Sequence, residues 1–395
     1  MKIFMLDAAC NTMPYDHSLC EALSKNGHNV NFFASTYVHT DWSQQQSYNH
    51  RKHFYNITNL LYKNRPKGFL RRFFKTFEHI INMYQFVKIV KSEKPDIIHF
   101  QWSQLPFIDR LYLSKLKKFS PLIYTMHNTT PLHGEKPLFY FIQKTSSVFL
   151  SYFSYFIVHT SYSRKIAIKN YSINKNNINV VPHGQLNYYF ENKIDSMKAT
   201  LNKYNISNDE KVILFFGNIS EYKGLDVLIK AYEMLSPDVV KNTRLLIVGR
   251  PSINVFSLQN LISSSKIKNN IIFDPRFVSE DEVSQIFNIC TVIAMPYRHI
   301  DQSGVLMTVL TYGKPIIASN LGGFKEIIKD GKHGKLVEPG NPQDLADALT
   351  EILKNRDLTN EMGKSVKKLS LNWPNWKEIA RQTIEIYNLA KKDEK

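Results

Sequence analysis

Short apolar runs, each closed by a polar turn, alternate along most of this chain with longer stretches in which apolar residues recur every three or four positions. That alternation is the signature of parallel βαβ units. In the first half it predicts strands at Lys2–Leu6, Val30–Ala34, Asp96–Phe100, Leu122–Thr125, Phe156–His159 and Asn179–Val181. A helix over Asp16–Asn26 stops at Gly27, a common helix terminator. In the second half, strands are predicted at Val212–Phe216, Arg244–Val248, Ile271–Phe273, Val292–Ala294 and Pro315–Ala318. Helices follow at Gly224–Leu235, Glu280–Ile289, Val305–Tyr312 and Pro342–Leu353.

At 395 residues the chain has enough core for two such α/β domains. Asn187 to Asp209 is polar, rich in Asn and Lys and weakly periodic, which places the boundary there. Trp373-Pro374-Asn375-Trp376 opens a last helix, Lys377–Ala390, free to cross back to the first domain. The predicted division is therefore residues 1–187, 188–372 and 373–395.

Between Pro296 and Gly323 the pattern gives a strand end, a polar turn closing on Ser303-Gly304, an apolar helix, a Gly-Lys-Pro turn, a strand and a Gly-rich turn. The amides of Ser303, Gly304 and Val305 then sit at a helix N-terminus, where the dipole favours an anion such as a diphosphate. A second strand-turn-helix, Phe216-Gly217-Asn218 through Lys223-Gly224-Leu225, lets backbone approach a ligand at Gly217 and puts the Lys223 ammonium at a helix start. Taken alone, that turn reads first as a βα turn with a solvent-facing lysine. Neither a P-loop nor a G-x-G-x-x-G after a strand occurs.

Charge changes the picture when divided by position. Through residue 190 there are 23 Lys+Arg against 9 Asp+Glu, a net of +14 within the total of +17. The excess concentrates at residues 63–91, where Lys63, Arg65, Lys67, Arg71, Arg72, Lys75, Lys88 and Lys91 face one acid, Glu78, and alternate with Phe69, Phe73, Phe74 and Phe77. Such interleaving suits an anionic leaflet, each charge contributing about 1 kcal/mol near the surface. It also fits an ordinary amphipathic helix with a solvated Lys/Arg face. Without a helix-turn-helix, zinc-finger or RNP pattern, no nucleic-acid partner is expected.

The opening Met1–Asp7 reads as a buried strand and not a signal peptide. The longest apolar stretch, Val148–Val158, is too short for the roughly 20 residues that span a bilayer. Cys10, Cys20 and Cys290 lie far apart and fit no metal pattern, as expected of a reducing compartment.

Taken together, Phe216-Gly217…Tyr222-Lys223-Gly224-Leu225-Asp226, Leu246-Ile247-Val248-Gly249, Pro296-Tyr297…Ser303-Gly304-Val305, Gly313-Lys314-Pro315 and Gly322-Gly323…Glu326 resemble the donor domain of glycosyltransferase family 4. In the first half, Pro95 through Gln101, Tyr124-Thr125-Met126-His127-Asn128, Val158-His159-Thr160-Ser161 and Val181-Pro182-His183-Gly184 look like its other strand ends. The resemblance implies the α/β GT-B fold: two Rossmann-like domains with parallel sheets facing a central cleft, and a C-terminal helix crossing back to the first. It implies that Gly217, Asn218, Lys223, Ser303, Gly304, Val305 and Glu326 bind a nucleotide-diphosphate sugar, and that His127 lies between the domains near the reacting carbon. His99, His159 and His183, each ending a predicted strand, are as readily packing residues.

Two departures follow from the same resemblance. Many members carry two glutamates eight positions apart around this helix; here the pair falls at Asp301 and Val309, or at Ile300 and Thr308, according to register. Asp301-Gln302 can contact donor-sugar hydroxyls in place of the first, while nothing replaces the second. The arginine usual before the lysine is absent too, and Arg250 or Arg276 could supply its charge. A Ser-Gly-Val version of the helix is similar to a subset that builds bacterial polysaccharides, whose acceptor-side loop Met13-Pro14-Tyr15-Asp16-His17 resembles; Asp16 is equally placed to cap a helix.

The implied activity is retaining sugar transfer, metal-independent and without a cofactor beyond the UDP- or GDP-linked donor. The implied acceptor is a glycan or polyprenyl-linked oligosaccharide of a capsule, exopolysaccharide or O-antigen, handled by a cytoplasmic protein peripheral to the inner face of the cell membrane. An epimerase or phosphorylase of the same fold, or a non-catalytic sugar-nucleotide-binding protein, is the alternative.

Overall fold

The computed structural model describes residues 1–36, 46–62, 68–129, 147–186 and 194–393. Lys63, Arg65 and Lys67 of the basic segment lie outside them. The chain forms two compact units, one of Met1–Gly184 with Pro374–Lys395 and one of Gln185–Trp373.

The first unit is built on a seven-stranded sheet with strands β1 (Lys2–Asp7), β2 (Asn29–Ala34), β3 (Asn49–Lys52), β4 (Ile97–Trp102), β5 (Leu122–Thr125), β6 (Tyr155–Val158) and β7 (Ile178–Val180). All pairings are parallel, in the order β3-β2-β1-β4-β5-β6-β7. The inner strands are apolar on both faces because helices cover both. The edge strand β3 reads Asn-His-Arg-Lys and has no apolar residue, so no hydrophobic pattern foretold it. It is held instead by backbone pairing with β2 and by the Asn49 Nδ2 to Asn31 Oδ1 hydrogen bond of 3.0 Å.

The expected helix after β1 spans Met13–Lys25, starting three residues early. The C-terminal helix, Trp376–Lys392, belongs to this first unit. Its Ile379, Ala380, Ile386, Tyr387 and Ala390 enter the same apolar core as Met13, Leu19 and Leu23. Lys391 pairs with Asp96, and Gly184 leaves room for the Trp376 indole, which a Cβ would meet at 2.3 Å.

The second unit has six parallel strands, β8 (Lys211–Phe216), β9 (Thr243–Val248), β10 (Ile271–Asp274), β11 (Val292–Met295), β12 (Ile316–Ser319) and β13 (Gly334–Val337), in the order β10-β9-β8-β11-β12-β13. The polar Asn187–Asp209 stretch is more than a linker, since Ile194–Lys203 is helical within the second unit. A further helix, Arg356–Leu371, follows Pro342–Lys354 and buries only Met362, Gly363, Val366 and Ser370. So thin an apolar stripe leaves a weak periodic signal. No helix among the described residues is long and apolar enough to cross a membrane.

Candidate active site

In the second unit the chain steps outward from β8 to β10 and then returns to β11 on the other side of β8. At such a reversal the loops leaving the carboxyl ends of the two central strands diverge, opening a crevice for ligands. Here those loops are Gly217–Gly224, after β8, and Pro296–Ser303, after β11.

Gly224 joins them. Its φ is +65°, and a Cβ there would stand 2.0 Å from the Pro296 carbonyl oxygen, so no side chain fits. Arg298 ties the same loops: its amide donates to the Tyr222 carbonyl (2.6 Å), its guanidinium to the Glu221 carbonyl (2.8 Å), and it pairs through both nitrogens with Asp226 (2.9 and 2.7 Å). Sequence reasoning gave no role to Arg298, nor to Tyr297 beyond its place in the resemblance; their signal was their position between β11 and the Ser-Gly turn.

Between them, Lys223 is 4 % exposed at the end of a 3₁₀ turn, its Nζ 5.2 Å from the centre of the Tyr297 ring. Burial alone lowers its pKa from 10.5 to about 8, with no carboxylate contributing. A Cβ on Gly217 would stand 3.1 Å from Lys223 Nζ and 3.0 Å from Val305 Cγ2. Gly217, Lys223 and Val305 thus converge on one point, where extra bulk at Gly217 would press on the ammonium.

Ser303 is the N-cap of the Gly304–Tyr312 helix, its hydroxyl accepting from the Leu306 amide at 3.2 Å. The amides of Ser303, Gly304 and Val305 have no acceptor among the described residues. Asp301 is buried beside this turn, and the Gln302 Nε2 is buried without a hydrogen-bond partner. The positions of the absent second glutamate, Val309 and Thr308, are both in the interior of the helix packing, so a carboxylate in either would lack solvent.

Other expected donor residues lie further out. Asn218 is exposed and bonds Ser252 Oγ at 3.2 Å, while Arg250 is exposed after β9 and its carbonyl accepts from the Ile219 amide. Glu326 is exposed on the Gly322–Ile327 helix that follows β12. Arg276 is committed to Asp274 (3.0 Å) and Glu282 (2.6 Å), so its charge is already matched and it does not stand in for the missing loop arginine.

In the first unit the corresponding reversal lies between β1 and β4. Here the histidines that end the strands form a connected chain. His127 Nε2 is 3.0 Å from Gln101 Oε1, His127 Nδ1 is 3.2 Å from His159 Nε2, and His159 Nδ1 is 3.0 Å from the Val181 carbonyl. His99 bridges the Tyr387 hydroxyl and Thr125 Oγ1, each at 2.7 Å. Burial lowers the pKa of His127 well below the ordinary value, that of His159 to about 4, and those of His99 and His183 to about 3.

Neutral rings fix the protons. The Val181 carbonyl can only accept, so His159 carries its proton on Nδ1 and accepts at Nε2. His127 therefore donates from Nδ1 and holds a lone pair on Nε2. That lone pair requires the Gln101 amide nitrogen to face it, an orientation assigned here from the network. Trp102 stacks on the His127 ring (centroids 5.2 Å, 10° between planes), and Tyr15 meets its edge at 5.0 Å.

Of the residues expected on the acceptor side, Tyr15 packs on His127, His183 and Trp376, and His17 Nδ1 is 3.0 Å from the Tyr48 hydroxyl. Pro14 occupies the first turn of its helix. Asp16 is not a cap: Thr12 holds that position, and Asp16 is fully buried against Asp7. Asp7 accepts from the Thr12 and Ala9 amides and Asn11 Nδ2, whereas desolvation and the Asp7 charge push the Asp16 pKa well above the carboxylate range. The pair therefore shares a proton, with Asp16 as the acid.

The two halves also match known proteins. Residues 15–184 match the family model described as Glycosyltransferase Family 4, and residues 196–369 the model described as Glycosyl transferases group 1. An uncharacterized glycosyltransferase of Methanocaldococcus jannaschii is 26 % identical over 207 residues, covering 52 % of this chain and 50 % of its own. A D-inositol 3-phosphate glycosyltransferase of Nocardioides is 26 % identical over 250 residues, covering 60 % and 53 %. The chain thus spans about half the length of these curated relatives. The crystal structure of Anabaena Alr3699/HepE with UDP-glucose superposes with a TM-score of 0.75 at 17 % identity, covering 98 % of this chain and 100 % of that one. With both halves matched in order and the whole architecture superposed, the chain belongs to glycosyltransferase family 4 and has the GT-B fold of two Rossmann-like units.

Proposed function

We propose that this enzyme is a retaining, metal-independent transferase that moves a sugar from a UDP- or GDP-linked donor to a glycan, and that the acceptor is lipid-linked and destined for a bacterial surface polysaccharide. The observation that carries the donor assignment is the buried, unmatched Lys223 beside the open amides of Ser303, Gly304 and Val305. A buried cation without a carboxylate is costly unless an anion joins it. A diphosphate supplies that anion, and the lysine with the helix dipole supplies neutralisation otherwise given by a metal. The Anabaena neighbour's complex with UDP-glucose supports a nucleotide-sugar donor.

In the transfer, the bond from the anomeric carbon to the phosphate oxygen breaks as the acceptor oxygen bonds on the same face. The acceptor proton passes to the departing phosphate oxygen. Lys223 and the Ser303–Val305 amides stabilise the charge that develops there. His127, kept neutral by burial and held through both ring nitrogens by Gln101 and His159, is assigned a positioning role near the reacting carbon and not that of a general acid. Asp301 and Gln302 are assigned to donor-sugar hydroxyls, Glu326, Asn218 and Arg250 to the nucleotide side, and Tyr15, His17 and Gln101 to the acceptor. Attachment at the inner face of the cell membrane, favoured by the basic first half, would bring the enzyme to a lipid-linked acceptor.

The test is a panel of UDP- and GDP-sugars read by protection against unfolding, since a ligand at 100 times its Kd adds about 2.7 kcal/mol. Lys223→Ala should abolish protection and transfer while the far-ultraviolet spectrum is unchanged. Undiminished donor binding in that variant would refute the phosphate assignment. Product formed without any acceptor would instead mark an epimerase or hydrolase.

A further inference from the structure

The helix Phe69–Glu93 has two apolar faces. One, carrying Met83, Phe86 and Val90, closes the core of the first unit. The other is in solvent: Phe69 is 82 % exposed, Phe73 50 % and Phe77 53 %, and the row runs on through Ile81 and Tyr84. At 1.5 Å per residue it is about 20 Å long. The basic residues expected to form the solvated face are partly turned away from it. Lys75 Nζ lies over the Tyr55 ring at 4.3 Å, and Arg71 reaches Asn59.

Neighbouring helices extend the apolar surface. Leu60 is 78 % exposed on the short Asn56–Leu61 helix, which Glu78 holds to the long one by accepting from the Ile57 and Thr58 amides, each at 2.8 Å. The only acid between residues 63 and 91 is thereby buried in a cap, so the surface carries no free negative charge of its own. On the other side, Tyr112 of the Pro106–Leu116 helix donates to the Ile80 carbonyl, this helix exposes Phe107, Leu111 and Ser114 at spacings that share one face, and Lys118 is exposed in the turn that follows it. Ser114 and Lys118, with Lys117, Ser151 and Tyr152, line a recess of about 440 Å³.

Monomeric proteins rarely leave so many aromatic and aliphatic side chains contiguous in water. From this face we infer that the first unit docks on an anionic bilayer by insertion: Phe69, Phe73, Phe77 and Leu60 enter the headgroup and acyl boundary, Arg72, Lys88 and Lys91 bind lipid phosphates at the rim, and the Lys117–Lys118 recess receives a headgroup. Charge complementarity selects this occupant. The net +14 of the first 190 residues suits a negative leaflet, and interfacial anchoring combines aromatic insertion with surrounding cations. A second copy of this chain would bring the same positive charge against itself.

The inference deepens the membrane-attached reading above and rests on it for location only; acceptor chemistry is read separately. The full-length protein would be mixed with sedimentable vesicles of phosphatidylcholine alone or with phosphatidylglycerol added. We expect binding at least about tenfold tighter to the anionic vesicles, lost by about tenfold or more in the double variant Phe73→Ser/Phe77→Ser. Because both side chains already face solvent, that variant should keep its melting temperature and its donor binding. Equal binding to the two vesicles, or full binding by the double variant, would overturn the proposal. So would a wild-type dimer that the variant converts to a monomer, since a second copy would then be the occupant. Normal vesicle binding with transfer only to soluble glycans would leave this docking face standing and refute the lipid-linked acceptor.

Discussion

Lys223 Nζ lies 5.2 Å from the centre of the Tyr297 ring, buried and with no carboxylate offsetting its charge. The ring face gives the ammonium some electrostatic support, but far less than an anion would. An anion placed beside such a cation would be favoured and would raise the lysine's pKa.

Donor affinity should therefore depend on pH with a definite sign. Only protonated Lys223 attracts the diphosphate, and in the free enzyme that form is lost as pH rises through about 8. The dissociation constant for UDP should be flat below that point and weaken above it, by at most about tenfold per pH unit. Calorimetric titration across this range checks it; in Lys223→Ala the dependence should vanish along with most of the affinity.

The same residue should trade stability for binding. Its folded pKa of about 8 lies below the ordinary lysine value of 10.5, so folding the charged form carries a penalty of about 3 kcal/mol below pH 8. That penalty fades as pH rises from 8 to 10.5. Lys223→Met should thus be more stable than the wild type at pH 7, by about 1 to 3 kcal/mol, and unable to bind UDP. Urea unfolding at pH 7 and pH 10 measures it, with the difference between the two proteins shrinking at the higher pH.

Most of this architecture was legible because parallel strands buried on both faces leave unbroken apolar runs, as at Ile3–Leu6 or Val212–Phe215. The element missed at the sheet edge, Asn49–Lys52, is held by backbone pairing and one Asn-Asn bond, neither of which leaves a hydrophobic trace. The two turns at Ser303-Gly304 and Lys223-Gly224 were legible, since caps and helix starts are local. Arg298 was not, because its partners Glu221 and Asp226 are more than seventy residues away in sequence. The outward row on Phe69–Tyr84 was not distinguishable from the core-facing one for a related reason: periodicity shows that a helix has an apolar stripe but not which of two stripes meets the core.

The histidine chain should make the first unit acid-labile. His99, His159 and His183 are held neutral by burial, with pKa values of about 3, 4 and 3 against about 6.5 when unfolded. Their contribution is complete above pH 6.5 and is lost as pH falls from there toward the folded values, each group costing up to about 1.4 kcal/mol per pH unit. Stability measured between pH 7 and about 4.5 should fall with a slope of several protons. Replacing His99 by Gln should lower that slope by about one proton even if it destabilises at pH 7. A slope unchanged by that replacement would show that His99 is charged in the folded protein.

Gly224→Ala should damage the donor site through backbone alone. An added Cβ would stand 2.0 Å from the Pro296 oxygen and hold alanine at a φ of +65°, which L-residues adopt at a cost of about 1 to 2 kcal/mol before the clash is counted. The loops after β8 and β11 must separate to admit it. We expect a loss of about 3 kcal/mol of stability and at least about tenfold in UDP affinity, measured by unfolding and calorimetry.

Arg298 should act on the donor through Lys223 without touching it. Its ion pair with Asp226 is more than one-third exposed on both sides, so its removal should cost no more than about 1 kcal/mol of stability. The consequence for the turn is larger, because the same guanidinium holds the Glu221 carbonyl two residues before Lys223. In Arg298→Ala the 3₁₀ turn Glu221–Lys223 keeps its own backbone bonds and the residue-298 amide bond to Tyr222 but loses the side-chain tether at Glu221, and the ammonium's place beside Tyr297 loosens. UDP affinity should fall by about tenfold with a melting temperature within a few degrees of the wild type. Arg298→Lys should restore charge but not the fork that grips Asp226 and Glu221 together, and so recover only part of the affinity. Asp226→Asn gives the complementary test, since it weakens the pair but leaves the Glu221 contact. If Asp226→Asn lowers affinity as much as Arg298→Ala, the ion pair and not the carbonyl contact positions Lys223.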